Sequence, residues 1–214
     1  MHWLDPDFLP ATEGTLDRFL FNTHADIDGL LLTDGTEIHT PPHLSAQLLD
    51  ALAPGEKLSV RGVKTRHGGV IVAVAIDTRK GGRIADEGPK HKKHPKPHPH
   101  EKPGGAGKYH GLIHQGIIER LLHGPKGDAH GALLDDGTIV RFPPHGATTF
   151  ADVLKVGASL SSRGASITTP SGAVVDATAL GVDASSLLDV PKDLKHGPKK
   201  PPKKPGPKEH AHHA

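Results

Sequence analysis

At 214 residues the chain has room for one large domain or for two small ones of about 70–100 residues each. With no cysteine it cannot form disulfides, thiolate metal sites or a cysteine nucleophile, and it lacks the run of about 18 apolar residues that a transmembrane helix needs. The net charge of +2 is unevenly spread: residues 1–84 and 111–190 each carry −3, residues 85–110 carry +3, and residues 191–214 carry +5. Acidic blocks separated by basic segments point to basic arms reaching for a polyanion. The opening "MHWLDPDFLPATEG" has early acids and no apolar core of a signal peptide, so the expected compartment is the cytoplasm.

In chain order, residues 1–13 read as an N-terminal extension and residues 14–84 as a first domain. Gly14–Asn22 reads as a strand with apolar Leu16, Phe19 and Phe21, and Gly29–Thr33 as a second, almost wholly apolar one. Asp34-Gly35 suits a type I′ hairpin, which folds a third strand, Thr36–Thr40, back on the second. Pro41-Pro42 ends that strand because proline cannot donate to a ladder. Ser45 reads as the N-cap of a helix with an apolar stripe at Leu48, Leu49 and Leu52, and Gly55 suits its end. "KLSVRGVK" and "GVIVAVAID" complete the domain as two more strands.

The pattern then recurs. Gly14–Lys64 aligns without gaps on Gly116–Ser166, 102 positions later. Shared residues include Arg18/Arg120, Asp34-Gly35-Thr36/Asp136-Gly137-Thr138, Pro41-Pro42-His43/Pro143-Pro144-His145 and Arg61-Gly62/Arg163-Gly164. The period is too long for a solenoid unit, so a whole domain is duplicated, the second copy spanning residues 111–190 with its helix at "TTFADVLKVG". Residues 85–110 and 191–214 are dense in Pro, Lys and His and nearly free of large apolar groups. They read as a disordered linker and tail.

Five strands with one helix between the third and fourth is the element order of a small Greek-key barrel. On these elements, and on glycines such as that of "VRG", each copy resembles the bacterial OB-fold domains of the nucleic-acid-binding kind. The resemblance implies an all-β fold, one short helix per domain, and a ligand face across strands 2 and 3. An SH3-like barrel is the alternative. Counted from a type I′ turn, the outward residues of that face are Leu30, Leu32, Glu37 and His39 in the first copy. In the second they are Ala132, Leu134, Ile139 and Arg141. None is aromatic, although single-strand binders stack bases on aromatic rings at such positions.

Phosphate contacts are therefore expected from Arg18, Arg61, Arg120, Arg141 and Arg163 on the barrels, and from Lys92, Lys93, Lys199, Lys200, Lys203 and Lys204 on the arms. His91, His94, His98, His100, His210, His212 and His213 have spacings suited to weak, exchangeable binding of a divalent transition metal, with no other cofactor implied. Asp26 and Asp28 look like a carboxylate pair but precede a glycine, as turn residues do. His43 and His145 read first as capping or packing residues and second as site residues. No nucleotide-binding loop or catalytic triad spacing is present. The sequence reading is a non-enzymatic accessory protein that binds single-stranded DNA or RNA weakly and in a salt-sensitive way. The alternatives are a protein-interaction adaptor whose barrels bind partners and whose arms are spacers, and a histidine-based metal binder; an acidic protein surface is the other partner the arms suit.

Overall fold

The computed structural model describes residues 5–66, 69–88 and 109–191. Apart from residues 85–88, 109–110 and 191, the linker and tail lie outside the described residues. In the first copy, β1 (Ala11–Phe21) lies antiparallel between β2 (Ile27–Leu32) and β4 (Lys57–Lys64). β3 (Glu37–His39) follows β2, and β5 (Ile71–Thr78) pairs antiparallel with β4 and parallel with β3. That parallel contact closes a five-stranded barrel in the order β1-β2-β3-β5-β4. A short β6 (Arg83–Ala85) extends the sheet from β5, and α1 (Ser45–Ala51) bridges β3 to β4.

The second copy repeats the arrangement with β7 (Tyr109–His123), β8 (Ala129–Leu134), β9 (Ile139–Arg141), α2 (Pro144–Thr149), β10 (Ser159–Thr169), β11 (Gly172–Gly181) and β12 (Leu188–Asp189). β9 and β11 make the parallel closure. The chain is two tandem OB-type barrels.

Register depends on the turn. Gly35 N–H donates to the Leu32 carbonyl and Leu32 N–H donates to the Thr36 carbonyl, with Gly35 at φ 85°. This is a type I turn followed by a left-handed glycine, a three-residue loop rather than the expected two-residue type I′ loop. Gly137, at φ 84°, repeats it. The extra loop residue moves the pairing by one, so Leu30 faces Ile38 and Leu31 faces Glu37. Cross-strand partners share a face. Leu30, Leu32 and Ile38 therefore point into the barrel, and Leu31, Glu37 and His39 point out. In the second copy Ala132 and Leu134 are core, and the outer residues are Leu133, Ile139 and Arg141. The expected outward set was thus off by one on the second strand of each copy.

Two local expectations also change at the helices. Ser45 does not cap α1: its Oγ accepts the Ile27 N–H at 2.9 Å, tying the helix to the start of β2. α2 begins earlier than "TTFADVLKVG", because Pro144 occupies its first turn with a preset φ. Phe150 and Leu154 enter the second core from the turn beyond it.

The shared Arg-Gly pair has a packing reason. A Cβ on Gly62 would collide with the Val72 carbonyl, and one on Gly164 with the Asp176 carbonyl, both on the neighbouring strand. Each glycine sits beside a register shift between the fourth and fifth strands of its barrel. Gly62→Ala and Gly164→Ala are each expected to lower unfolding free energy by about 1–3 kcal/mol, the usual cost of overpacking. Urea titration followed by far-UV circular dichroism measures this.

Candidate functional site: the buried inter-barrel face

The outer faces of β2–β3 and β8–β9, where a ligand was expected, are turned toward each other. β2 is apolar on both faces because both are covered: Leu30, Leu31 and Leu32 are all buried. The hydrophobic cluster of the first barrel continues without a break into Leu122, Leu133, Ile139, Ile167 and Val174 of the second.

Set in this apolar face is a polar network. The Arg141 side chain is almost fully buried. Its Nη2 donates to Asp28 Oδ1 at 2.6 Å and to the Phe21 carbonyl at 3.0 Å, and its Nε donates to that carbonyl at 3.1 Å. Nη1 lies 2.8 Å from His130 Nε2. Since Arg141 can only donate, His130 Nε2 accepts, and the ring proton sits on Nδ1, 3.3 Å from the Leu122 carbonyl. Glu37, also buried, receives the His123 backbone N–H at 2.7 Å and lies 3.1 Å from His123 Nδ1. Arg120 Nη2 donates to the Gly35 carbonyl at 2.7 Å.

Electrostatics follow from this burial. Burial drives His130 down to about 4, helped by the Arg141 charge, and lowers His39 for the same two reasons. Asp28 is pushed up by burial against the pull of Arg141. Arg141 keeps its charge.

The network follows the duplication. Moving each residue by 102 positions carries the Arg141–Asp28 contact onto His39–His130. One half of the interface thus holds an ion pair and the mirror half holds two neutral imidazoles. Likewise Glu37 and His123 correspond to Ile139 and Phe21, both in the apolar cluster. This is the self-complementary logic of a two-fold interface, with its two halves differentiated.

The expected phosphate-binding arginines fall into two groups. Arg120 and Arg141 are committed to the interface. The other three each pair with an acid of their own barrel: Arg18 with Asp17 (2.8 Å), Arg61 with Asp77 (3.2 Å) and Arg163 with Asp189 (3.3 Å). Lys92, Lys93, Lys199, Lys200, Lys203, Lys204 and all seven candidate metal-binding histidines lie outside the described residues. Among the described residues no group of three or more His, Asp or Glu is arranged to hold a metal ion.

His43 and His145 do one job twice. His43 Nε2 lies 3.2 Å from Asp86 Oδ1, just past β6, and His145 Nε2 meets the Pro191 carbonyl, just past β12. Each fastens the chain where it leaves its barrel. Sequence reading missed the Asp28, Glu37, His123, His130 cluster. The available signal was that these copy differences come in matched pairs: Asp28/His130 with His39/Arg141, and Glu37/Ile139 with Phe21/His123.

No family model and no curated protein matches the chain. Among solved structures it is similar to the wild-type single-stranded DNA binding protein from Thermus aquaticus, at 16% identity over 89% of this chain and 94% of that one, with a TM-score of 0.22. A deletion mutant of the same protein gives 15% identity over 91% and 96%, again with a TM-score of 0.22. The OB-type barrels are defined by the strand order and the two parallel closures.

Arg141→Ala strands the Asp28 carboxylate in a buried site and is expected to cost about 3–5 kcal/mol. The double variant Arg141→Met/Asp28→Leu is expected to recover most of that loss in the same urea titration. A pH prediction follows from His130 and His39, whose folded-state values lie below the unfolded 6.5. Their contribution is complete above 6.5 and falls as pH drops toward about 4. Asp28, raised by burial, acts in the opposite sense from the carboxylate range. Melting temperature is therefore expected to fall between pH 7 and pH 5, and to fall less in His130→Gln.

Proposed function

We propose that the protein is a non-enzymatic nucleic-acid-associated protein that holds single-stranded DNA or RNA mainly through its basic linker and tail, with the paired barrels as a rigid mount. The observation that carries this reading is the mutual burial of the two β2–β3 faces. With those faces closed and free of aromatic residues, base stacking on them is no route to binding. Positive charge is then concentrated in the segments of +3 and +5, against −3 for each barrel segment. Such contact is electrostatic, tolerant of sequence and strongly salt-dependent, with dissociation constants of about 10⁻⁴–10⁻⁶ M at physiological salt.

The test uses the full chain and a variant with Lys90, Lys92, Lys93, Lys96, Lys199, Lys200, Lys203 and Lys204 changed to Gln, titrated with labelled oligodeoxythymidine and oligouridine at several salt concentrations. Binding that weakens with salt and disappears in the variant supports the reading. Its absence from the full chain at the lowest salt would sink the reading and leave the protein-interaction adaptor, with the arms as spacers. Repeating the titration at pH 6 and pH 8 adds a second check. Histidine protonation raises the charge of both arms, so tighter binding is expected at pH 6.

A further inference from the structure

We propose that the outer face of β1, β4, β5 and β6 in the first barrel is a second phosphate-contact surface for single-stranded nucleic acid, on the side away from the buried β2–β3 face. It rests on the function proposed above and assigns a contact that the arms alone do not supply.

Register defines the face. Thr15 lies opposite Lys57, Glu13 opposite Ser59, Ser59 opposite Asp77, and Asp77 opposite Arg83. Leu58 lies opposite Thr78, which brings Arg79 beside Lys57 at the end of the ladder. An open groove of about 580 Å³ runs here, lined by Thr15, Lys57, Ser59, Thr78 and Arg79 together with the carboxylates of Glu13 and Asp77.

Charge is concentrated on this face. Five of the eight basic residues within residues 1–84 lie on it or at its rim: Lys57, Arg61, Arg79, Lys80 and Arg83. The acids there are Asp7, Glu13, Glu56 and Asp77. Asp77 is shared by Arg61 and Arg83, Asp7 also binds Arg83, and Glu56 binds Lys80. Among the described residues Lys57 and Arg79 make no ion pair, although Arg79 is within electrostatic reach of Glu56. Two exposed cations flanked by hydroxyls suit a phosphodiester, whose oxygens accept from both kinds of donor.

The second barrel supplies an internal comparison. By strand pairing, Lys57, Asp77 and Arg79 correspond to Ser159, Gly181 and Asp183. The cations belong to the first barrel and are not a requirement of the fold. The face is also continuous in sequence with the basic linker: Lys90 is seven residues beyond Arg83, a reach of at most about 25 Å. A single strand held by the linker lysines therefore lies within reach of Lys57 and Arg79.

The experiment compares the full chain with Lys57→Gln/Arg79→Gln and with a control, Lys126→Gln/Lys155→Gln, on the second barrel. The probe is labelled oligodeoxythymidine between about 50 and 200 mM salt, the span over which phosphate contacts are most visible. Losing two phosphate contacts is expected to lower the slope of log K against log salt by about 1.4, with the control unchanged. An unchanged slope in the first variant, or an equal drop in the control, overturns the proposal. If the arm-lysine variant meanwhile loses binding, the proposed function stands without this face. If the unmodified chain does not bind at about 50 mM, the proposed function itself fails.

Discussion

The structure depends on covering one sheet face with its own duplicate. Each barrel places an apolar surface on the outside of its second and third strands, through Leu31 in one and Leu133 and Ile139 in the other. Exposed, such surfaces favour association. Pressed together, they merge the core of the first barrel with the outer face of the second. A buried guanidinium in the middle of this contact is tolerable because each of its three nitrogens finds an acceptor: Asp28, the Phe21 carbonyl and His130 take them. Geometry at Arg141 therefore fixes how the barrels meet more tightly than apolar packing alone can.

Duplication explains why the contact is neither symmetric nor arbitrary. A contact between two positions on one side of it is mirrored by the equivalent pair on the other, so a change in one copy alters the environment of a residue in the other. Arg141 replaces the histidine that occupies position 39, and opposite it the first copy carries Asp28 where the second carries His130. An arginine against a second histidine would have been a buried charge without a counter-ion, at a cost of several kcal/mol. The acid lies in the first copy and the base in the second, so pairing between like copies would leave one of them uncompensated. Specificity and covalent linkage thus favour the same partner.

Much of the architecture was legible in the sequence because its signals are local. Strand, turn, strand, terminator, helix and two more strands can be read from Asp-Gly-Thr, from Pro-Pro and from runs of apolar residues, and the repeat confirms each reading. Register was not legible. Asp34-Gly35 fits either a two-residue or a three-residue loop, and the choice shifts every side chain on β2 to the opposite face. That single residue made Leu30 and Leu32 look exposed. The polar network was hidden for a different reason. Asp28 and His130 precede glycines and look like turn residues, and both gain their significance from Arg141, which meets His130 within its own barrel and Asp28 from 113 residues away.

His43 and His145 have a consequence that concerns avidity. Each holds its chain at the point where the barrel ends and a lysine-rich stretch of sequence follows: at Asp86 before Lys90, and at Pro191 before Lys192. A fixed root means that the point from which each lysine-rich segment departs is set by the barrel and not by the fraying of its last strand. On the proposed reading, a strand captured by one arm meets the next cationic group at an effective concentration determined by the fold. Two weak contacts then act as one stronger one.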